Sequence, residues 1–370
     1  MHLRDRSLLA GLLLLVLTLA ACGGVANPDG WAPILEDEGR LLVFPEKDRL
    51  EARSLDTGAV LWRFPDKNKP DQKKLKFEAV YDDPIRDGGA LHFASLDGKL
   101  ISLNAADGSL RWVRDDFKGG VIGGPVLVNG LLIFGTDASR IYARNATDGS
   151  PAASWPQDGI NPGEQVWAPP VVSGEVVIVA TMGGSVQAYR LADGSPAWAE
   201  PFQAEGAVGD LAVVGGKVFV PSLDKHVYLL DPATGREAIA AFTATDWVWT
   251  TPAVADGAAY FGDFGGQIVA LDLATGRNRW AAPYDAASKS KAAPVLIGGV
   301  LILATRDAVV HFLNAADGTR LNAVPLPDSG TVRAPITVIG GKGYIVTTDG
   351  HVYIADPANR SVNLAPGGRN

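Results

Sequence analysis

One cysteine, Cys22, stands in 370 residues. Beyond it the chain can build no disulfide framework, no cysteine-type zinc site and no thiol-based catalysis. Histidine is almost as scarce, at five residues, and there is no Gly-x-Ser-x-Gly elbow, no His-Glu-x-x-His pair and no P-loop. Charged residues make up 20% of the chain and sum to −8, which removes the basic footprint that general nucleic-acid binding requires. After residue 19 no apolar run is long enough to cross a bilayer.

What is present begins at the amino terminus. Arg4 and Arg6 precede an apolar run from Leu8 to Leu19, too short to span a membrane and closed by small residues, as in a secretory signal. The sequence Leu19-Ala20-Ala21-Cys22 resembles the lipobox of bacterial lipoproteins. That resemblance implies a signal peptide over 1–21, a lipidated Cys22 with a short linker over 22–30, and a membrane anchor of several acyl chains. A plain cleaved signal is the alternative, and it would leave Cys22 as a free thiol in an oxidising compartment.

The rest of the chain repeats. A turn of the form Asx-x-x-(Thr/Asp)-Gly follows a short apolar strand at Gly58, Gly108, Gly149, Gly194, Gly235, Gly276 and Gly318, and Arg360 holds the eighth position. The spacings are 50, 41, 45, 41, 41, 42 and 42 residues. Upstream of each anchor stand an x-Pro strand, a Gly-containing turn, a β-branched strand, a polar turn and a third strand. The prolines are Pro33, Pro84, Pro125, Pro169, Pro252, Pro294 and Pro335, with Leu211 in the fifth unit. Proline is tolerated at a strand's first residue, so each marks the start of a sheet. Eight such units over 31–370 predict an all-β, eight-bladed β-propeller of four-stranded antiparallel blades, monomeric as a ring. In the sixth unit the fourth strand is expected to carry Trp280.

The repetition also disposes of candidate chemistry. His226 and His351 share a position that other units fill with Arg49, Lys99, Arg140, Ser185, Gln267 and Val309, so it is a polar sheet position before it is a metal site. Asp97, Asp224, Asp307 and Asp349 recur in the turn before it and read as turn formers.

Thr57-Gly58-Ala59-Val60-Leu61-Trp62 and Thr275-Gly276-Arg277-Asn278-Arg279-Trp280 resemble the signature turn of PQQ-like propeller proteins, with Asp-Gly variants leading to Trp112 and Trp198. Asp148-Gly149 reaches Trp155 after two extra residues. The resemblance implies that Trp62, Trp112, Trp198 and Trp280 dock structurally between blades. Quinoprotein dehydrogenases share the blade motif, but they add calcium ligands, often a cysteine pair, and long insertions that cannot be placed here. The expectation is therefore no cofactor, no metal and no enzyme, with PQQ-dependent oxidation a distant alternative.

Lipobox, blade number and repeat together are similar to the BamB family of outer-membrane β-barrel assembly factors. That likeness implies a scaffold at the extracytoplasmic face of a bacterial membrane, on the periplasmic side of an outer membrane where there is one. Its expected partners are envelope proteins, including a BamA-like barrel. The stretch Asp246-Trp247-Val248-Trp249-Thr250-Thr251-Pro252 keeps the family's Thr-Thr-Pro and places tryptophans where acidic residues are expected. Tyr81, Trp167, Asp246, Trp247, Trp249, Lys291 and Arg333 all lie just ahead of a first strand, on loops that share one face of a propeller, and are the candidate partner-binding residues. Two alternatives stay open: Trp167 and Trp249 plug the central channel, or the aromatic mouth binds a small molecule or envelope polymer. The loop Pro65 to Glu78 carries Lys67, Lys69, Lys73, Lys74 and Lys76, either as a solvated loop or as a contact for anionic headgroups or an acidic partner.

Overall fold

The computed structural model describes residues 32–327 and 330–367. The expected signal peptide over 1–21, Cys22 and Trp31 lie outside the described residues. Eight antiparallel sheets follow one another along the chain and close into a ring, an eight-bladed β-propeller. Blade 1 comprises Leu35–Asp37, Arg40–Glu46, Arg49–Ser54 and Val60–Phe64, each paired with the next. Blades 2 and 4 to 7 occupy 85–114, 171–203, 212–243, 253–285 and 295–325. Blade 8 ends the ring with Thr337–Ile339, Lys342–Val346, Val352–Asp356 and Ser361–Leu364. We letter the strands of each blade A to D from the channel outward.

The core lies between the blades, because each sheet buries both faces. Side chains alternate across a strand. In Arg40–Glu46, Leu42 packs into the cluster shared with Leu91 and Phe93 of blade 2, while Leu41 and Val43 join Ile339, Tyr344 and Val352 of blade 8. Burial on both sides is why strand B reads as a continuous apolar run.

Blade 3 departs from the expected four strands. Val126–Val128, Leu131–Thr136 and Arg140–Asn145 form a three-stranded sheet, and the outer segment pairs with it only through the isolated bridges Arg144 to Pro151 and Ile141 to Ile160. Pro151 has no N–H to donate to a ladder. In blade 6 strand D is Tyr284–Asp285, so Trp280 precedes it, beyond the bridge from Leu271 to Asn278. Trp198 likewise precedes Phe202–Gln203.

All seven anchoring glycines have φ between 64° and 76°, and Arg360 has 54°. In five units the glycine also makes room for an indole of the preceding blade. A Cβ on Gly108 would stand 2.4 Å from the Trp62 ring, on Gly149 2.8 Å from Trp112, on Gly194 3.0 Å from Trp155, on Gly235 2.4 Å from Trp198 and on Gly318 2.6 Å from Trp280. Four of these indoles donate Nε1–H to a carbonyl of the same turn: Trp62 to Ala105, Trp155 to Leu191, Trp198 to Pro232 and Trp280 to Ala315, at 2.9 to 3.2 Å. Trp155, displaced in sequence, thus holds the same place as the regularly spaced tryptophans.

Among the described residues the ring closes without strand exchange, since blades 1 and 8 each come from one contiguous stretch. The closing seam is held by Thr337 Oγ1–H to the Ile34 carbonyl at 2.7 Å, Arg53 to the Gly367 carbonyl at 3.1 Å, and Gly58 against the backbone of Pro366 and Gly367.

Candidate interaction face

Strand A starts where strand B ends, so the D-to-A loops and the B-to-C turns emerge on the same face. The turn aspartates fix the loops. Asp97 accepts the N–H of Glu78 at 3.0 Å, Asp137 that of Gly120 at 2.7 Å, Asp224 that of Glu205 at 3.0 Å and Asp349 that of Gly330 at 2.9 Å. Asp263 is fully buried and accepts the N–H groups of Thr245 and Asp246 and the Thr245 hydroxyl. Of the aspartates that recur in the sequence, Asp97, Asp224 and Asp349 are thus clamps from turn to loop, and Asp137 and Asp263 act in the same way. Burial raises the Asp97 carboxyl, but hydrogen bonds from Lys99, Ser95 and the Glu78 N–H outweigh it and leave the pKa below its ordinary value. A charge-assisted acceptor is also the stronger one.

Of the candidates, Asp246 and Trp247 form one group. Asp246 accepts the Trp247 N–H at 2.9 Å and lies 3.8 Å from Lys225. The Trp247 carbonyl accepts the Phe264 N–H, and the two rings stand 6.1 Å apart. Lys289, from the next loop, lies 6.0 Å over the Phe264 ring. Both aromatic rings are half-buried, and Lys289 is exposed.

A second group surrounds the channel mouth. The Asp210 N–H donates to the Trp249 carbonyl at 2.9 Å, joining blades 5 and 6. Burial, then the charge of Asp82, pushes the Asp210 carboxyl up to about 7, with Lys291 opposing. Burial, then the Arg333 guanidinium, lowers the Lys291 ammonium, with Asp210 opposing. Asp83 is pushed up to about 7 by burial and by Asp82 beside it. Asp82 accepts the Gly124 N–H from blade 3 at 2.9 Å. Around the mouth Asp82 repels Asp210, Asp210 attracts Lys291, and Arg333 repels Lys291. Arg333 also lines a small cavity of about 80 Å³ at the closing seam, with Lys47, Thr347 and Thr348.

The remaining two candidates sit elsewhere on the loops. Trp167 is half-buried, and its carbonyl lies so close to Gly123 that a Cβ there would come within 2.7 Å, which joins the loops leading into blades 3 and 4. Tyr81 is half-buried and precedes Asp82 in the chain, at the edge of the mouth group. Sequence reasoning missed Asp82, Asp83, Asp263, Phe264 and Lys289. Asp263 could have been found, because it occupies the same turn as Asp97 and Asp224. Among the described residues no group of three or more His, Cys, Asp or Glu is placed to hold a metal.

Comparison with known proteins agrees with this architecture. BamB from Yersinia pestis is 25% identical over 328 residues, 83% of this chain and 79% of that protein. BamB from Burkholderia pseudomallei is 25% identical over 279 residues, 72% and 71% of the two chains. The crystal structure of BamB from Moraxella catarrhalis superposes with a TM-score of 0.67 at 19% identity, covering 87% of this chain and 93% of that one. A computationally designed protein, Ika8, superposes at 0.70 with 12% identity, so the ring alone carries no function. The family described as outer membrane protein assembly factor BamB matches residues 46–164 and 152–363, nearly the whole ring, and the chain belongs to that family.

Proposed function

We propose that this protein is a non-enzymatic, lipid-anchored scaffold that holds a BamA-like barrel and other envelope proteins during outer-membrane β-barrel assembly. The observation that carries the reading is the family match across both halves of the ring. A propeller of this family is a protein-interaction scaffold. The finer role is supported by its loop face: ordered loops with half-buried Trp247, Phe264 and Arg333 have the composition of interface hot spots. The proposed anchor is Cys22, at the end of Leu19-Ala20-Ala21.

Crosslinking followed by pull-down tests the partner. Trp247→Ala with Arg333→Ala should cut recovery of the BamA-like barrel at least tenfold, since hot-spot truncations cost about 2 kcal/mol or more each, and the melting temperature should stay near that of the wild type. Undiminished recovery would place the partner elsewhere. Mass spectrometry of the mature amino terminus tests the anchor: a chain starting at an unmodified residue other than Cys22 rules out lipidation. Alcohol oxidation by the purified protein with PQQ and calcium would defeat the non-enzymatic reading.

A further inference from the structure

The loop between blades 1 and 2 has no counterpart in the other blades, and its charge opposes that of the molecule. From Arg63 to Lys76 it carries six cations, Arg63, Lys67, Lys69, Lys73, Lys74 and Lys76, against Asp66 and Asp71, in a chain whose total is −8. The loop is built, not merely solvated. Gln72 is fully buried; its Oε1 accepts the Asp66 N–H at 2.8 Å and its Nε2–H donates to the Gly108 carbonyl at 3.1 Å. Phe77 is buried against Phe93, with ring centroids 5.4 Å apart, and Leu75 packs on the same cluster. Lys69 is tied by its Nζ to the Asp107 carbonyl.

With those residues turned inward, Lys67, Lys73, Lys74 and Lys76 are left exposed. At the start of the loop Arg49, Arg63 and Lys67 surround a cleft of about 310 Å³. The strand leading into it, Val60–Phe64, is the outer edge of blade 1 and exposes Leu61 at 54% and Val60 at 39%. Rigidly displayed cations beside exposed aliphatic side chains match an anionic, partly apolar surface better than a purely polar partner.

We infer that the outer edge of blade 1, with the Pro65–Lys76 loop, docks on an anionic phospholipid surface. Lysines take headgroup phosphates, and Leu61 and Val60 enter the interfacial layer. The inference does not rest on barrel assembly. A lipid at Cys22 would strengthen it, because ten residues reach at most about 35 Å and would hold blade 1 near the bilayer at high effective concentration.

The test uses residues 32–370, which contain every described strand of the ring, so that no acyl chain contributes. Sedimentation with vesicles of phosphatidylglycerol and phosphatidylcholine in roughly equal amounts is compared with phosphatidylcholine alone. Binding should be selective for the anionic vesicles and weaken as salt rises. The variant Lys67→Gln/Lys73→Gln/Lys74→Gln/Lys76→Gln should lose about two orders of magnitude or more in affinity, at roughly fivefold per cation. Lys69 is spared because it secures the loop, and a thermal melt checks that the variant is folded. Leu61→Ser should lower the affinity by a few fold and leave the salt dependence unchanged. Equal binding to both vesicles, an unaffected quadruple variant, or no binding at all would overturn the inference. So would capture of soluble polyglutamate, but not vesicles, with the same lysine dependence, because the occupant would then be an acidic protein.

Discussion

Five seams of the ring are clamped by an indole beneath a glycine, and three are not, although the turn conformation is the same in all eight units. At the seam between blades 5 and 6, Gly276 faces Ile239 and the Ala240 carbonyl, each 3.2 Å from where a Cβ would stand. Between blades 7 and 8 the glycine is replaced by Arg360, whose carbonyl accepts the Asn322 side-chain amide at 2.8 Å. At the closing seam Gly58 meets the backbone of Pro366, with a Cβ position 2.2 Å from its carbonyl oxygen. Backbone conformation thus belongs to the turn itself, whereas tightness belongs to what the neighbouring blade brings.

The largest effect should come from removing a clamp. Trp280→Ala is expected to cost roughly 3–5 kcal/mol in denaturant unfolding, for the lost burial and the cavity. Gly108→Ala should follow at about 2–4 kcal/mol, since it adds strain at positive φ to a collision with the rigid Trp62 ring. Gly58→Ala meets a closer contact, but its neighbour is the turn at Pro366 and Gly367, which lies outside the strands and can shift; a loss of about 1–2 kcal/mol is expected there. Gly276→Ala should show little beyond the backbone strain, about 1 kcal/mol. A uniform cost across the three glycines would mean that φ alone governs these turns.

The effect that depends on pH concerns the mouth, where the seam between blades 5 and 6 gains the bond from the Asp210 N–H to the Trp249 carbonyl in place of an indole. Unfolded, the Asp210 carboxyl ionises near 3.8; in the ring it does so near 7, by burial and then the Asp82 charge. Between those values the ring keeps a proton that the unfolded chain has released. The contribution to stability is therefore greatest below the unfolded pKa and falls as pH rises through the folded one. Asp210→Asn should raise the melting temperature at about pH 8, and the gain should disappear near pH 4. A gain that is the same at both would place the effect outside the titration of this carboxyl.

The blade count, the strand order and the positive-φ anchors were legible because they recur locally: each depends on a few neighbouring residues that every unit must supply. Blade 3 was not, since Pro151 and the longer path to Trp155 reduce the outer strand to two bridges, a tertiary outcome of residues that look like an ordinary insertion. Repeat position puts Trp280 in strand D, and blades 1 and 2 do carry the indole there, whereas in blades 4 and 6 the strand forms only after it. The recurring aspartates were recognisable as turn residues, but not their hold on the loops, which needs the folded face. The electrostatic chain from Asp82 through Asp210 and Lys291 to Arg333 joins residues of the loops leading into blades 2, 5, 7 and 8. Repeat alignment gives a residue's place within its blade and says nothing of what faces it across the ring.

Closure without an exchanged strand has a mechanical meaning. A ring whose last blade borrows a strand from its beginning resists tension on either terminus through a whole ladder of hydrogen bonds loaded in shear. Here a pull on the amino-terminal side of blade 1 reaches that blade first, and among the described residues the seam that resists it has the Thr337 and Arg53 bonds and an apolar cluster but no ladder and no indole. Such a seam peels from one edge, so the ring would open between its two ends and unroll blade by blade, while the clamped seams 1–2 to 4–5 act as successive brakes.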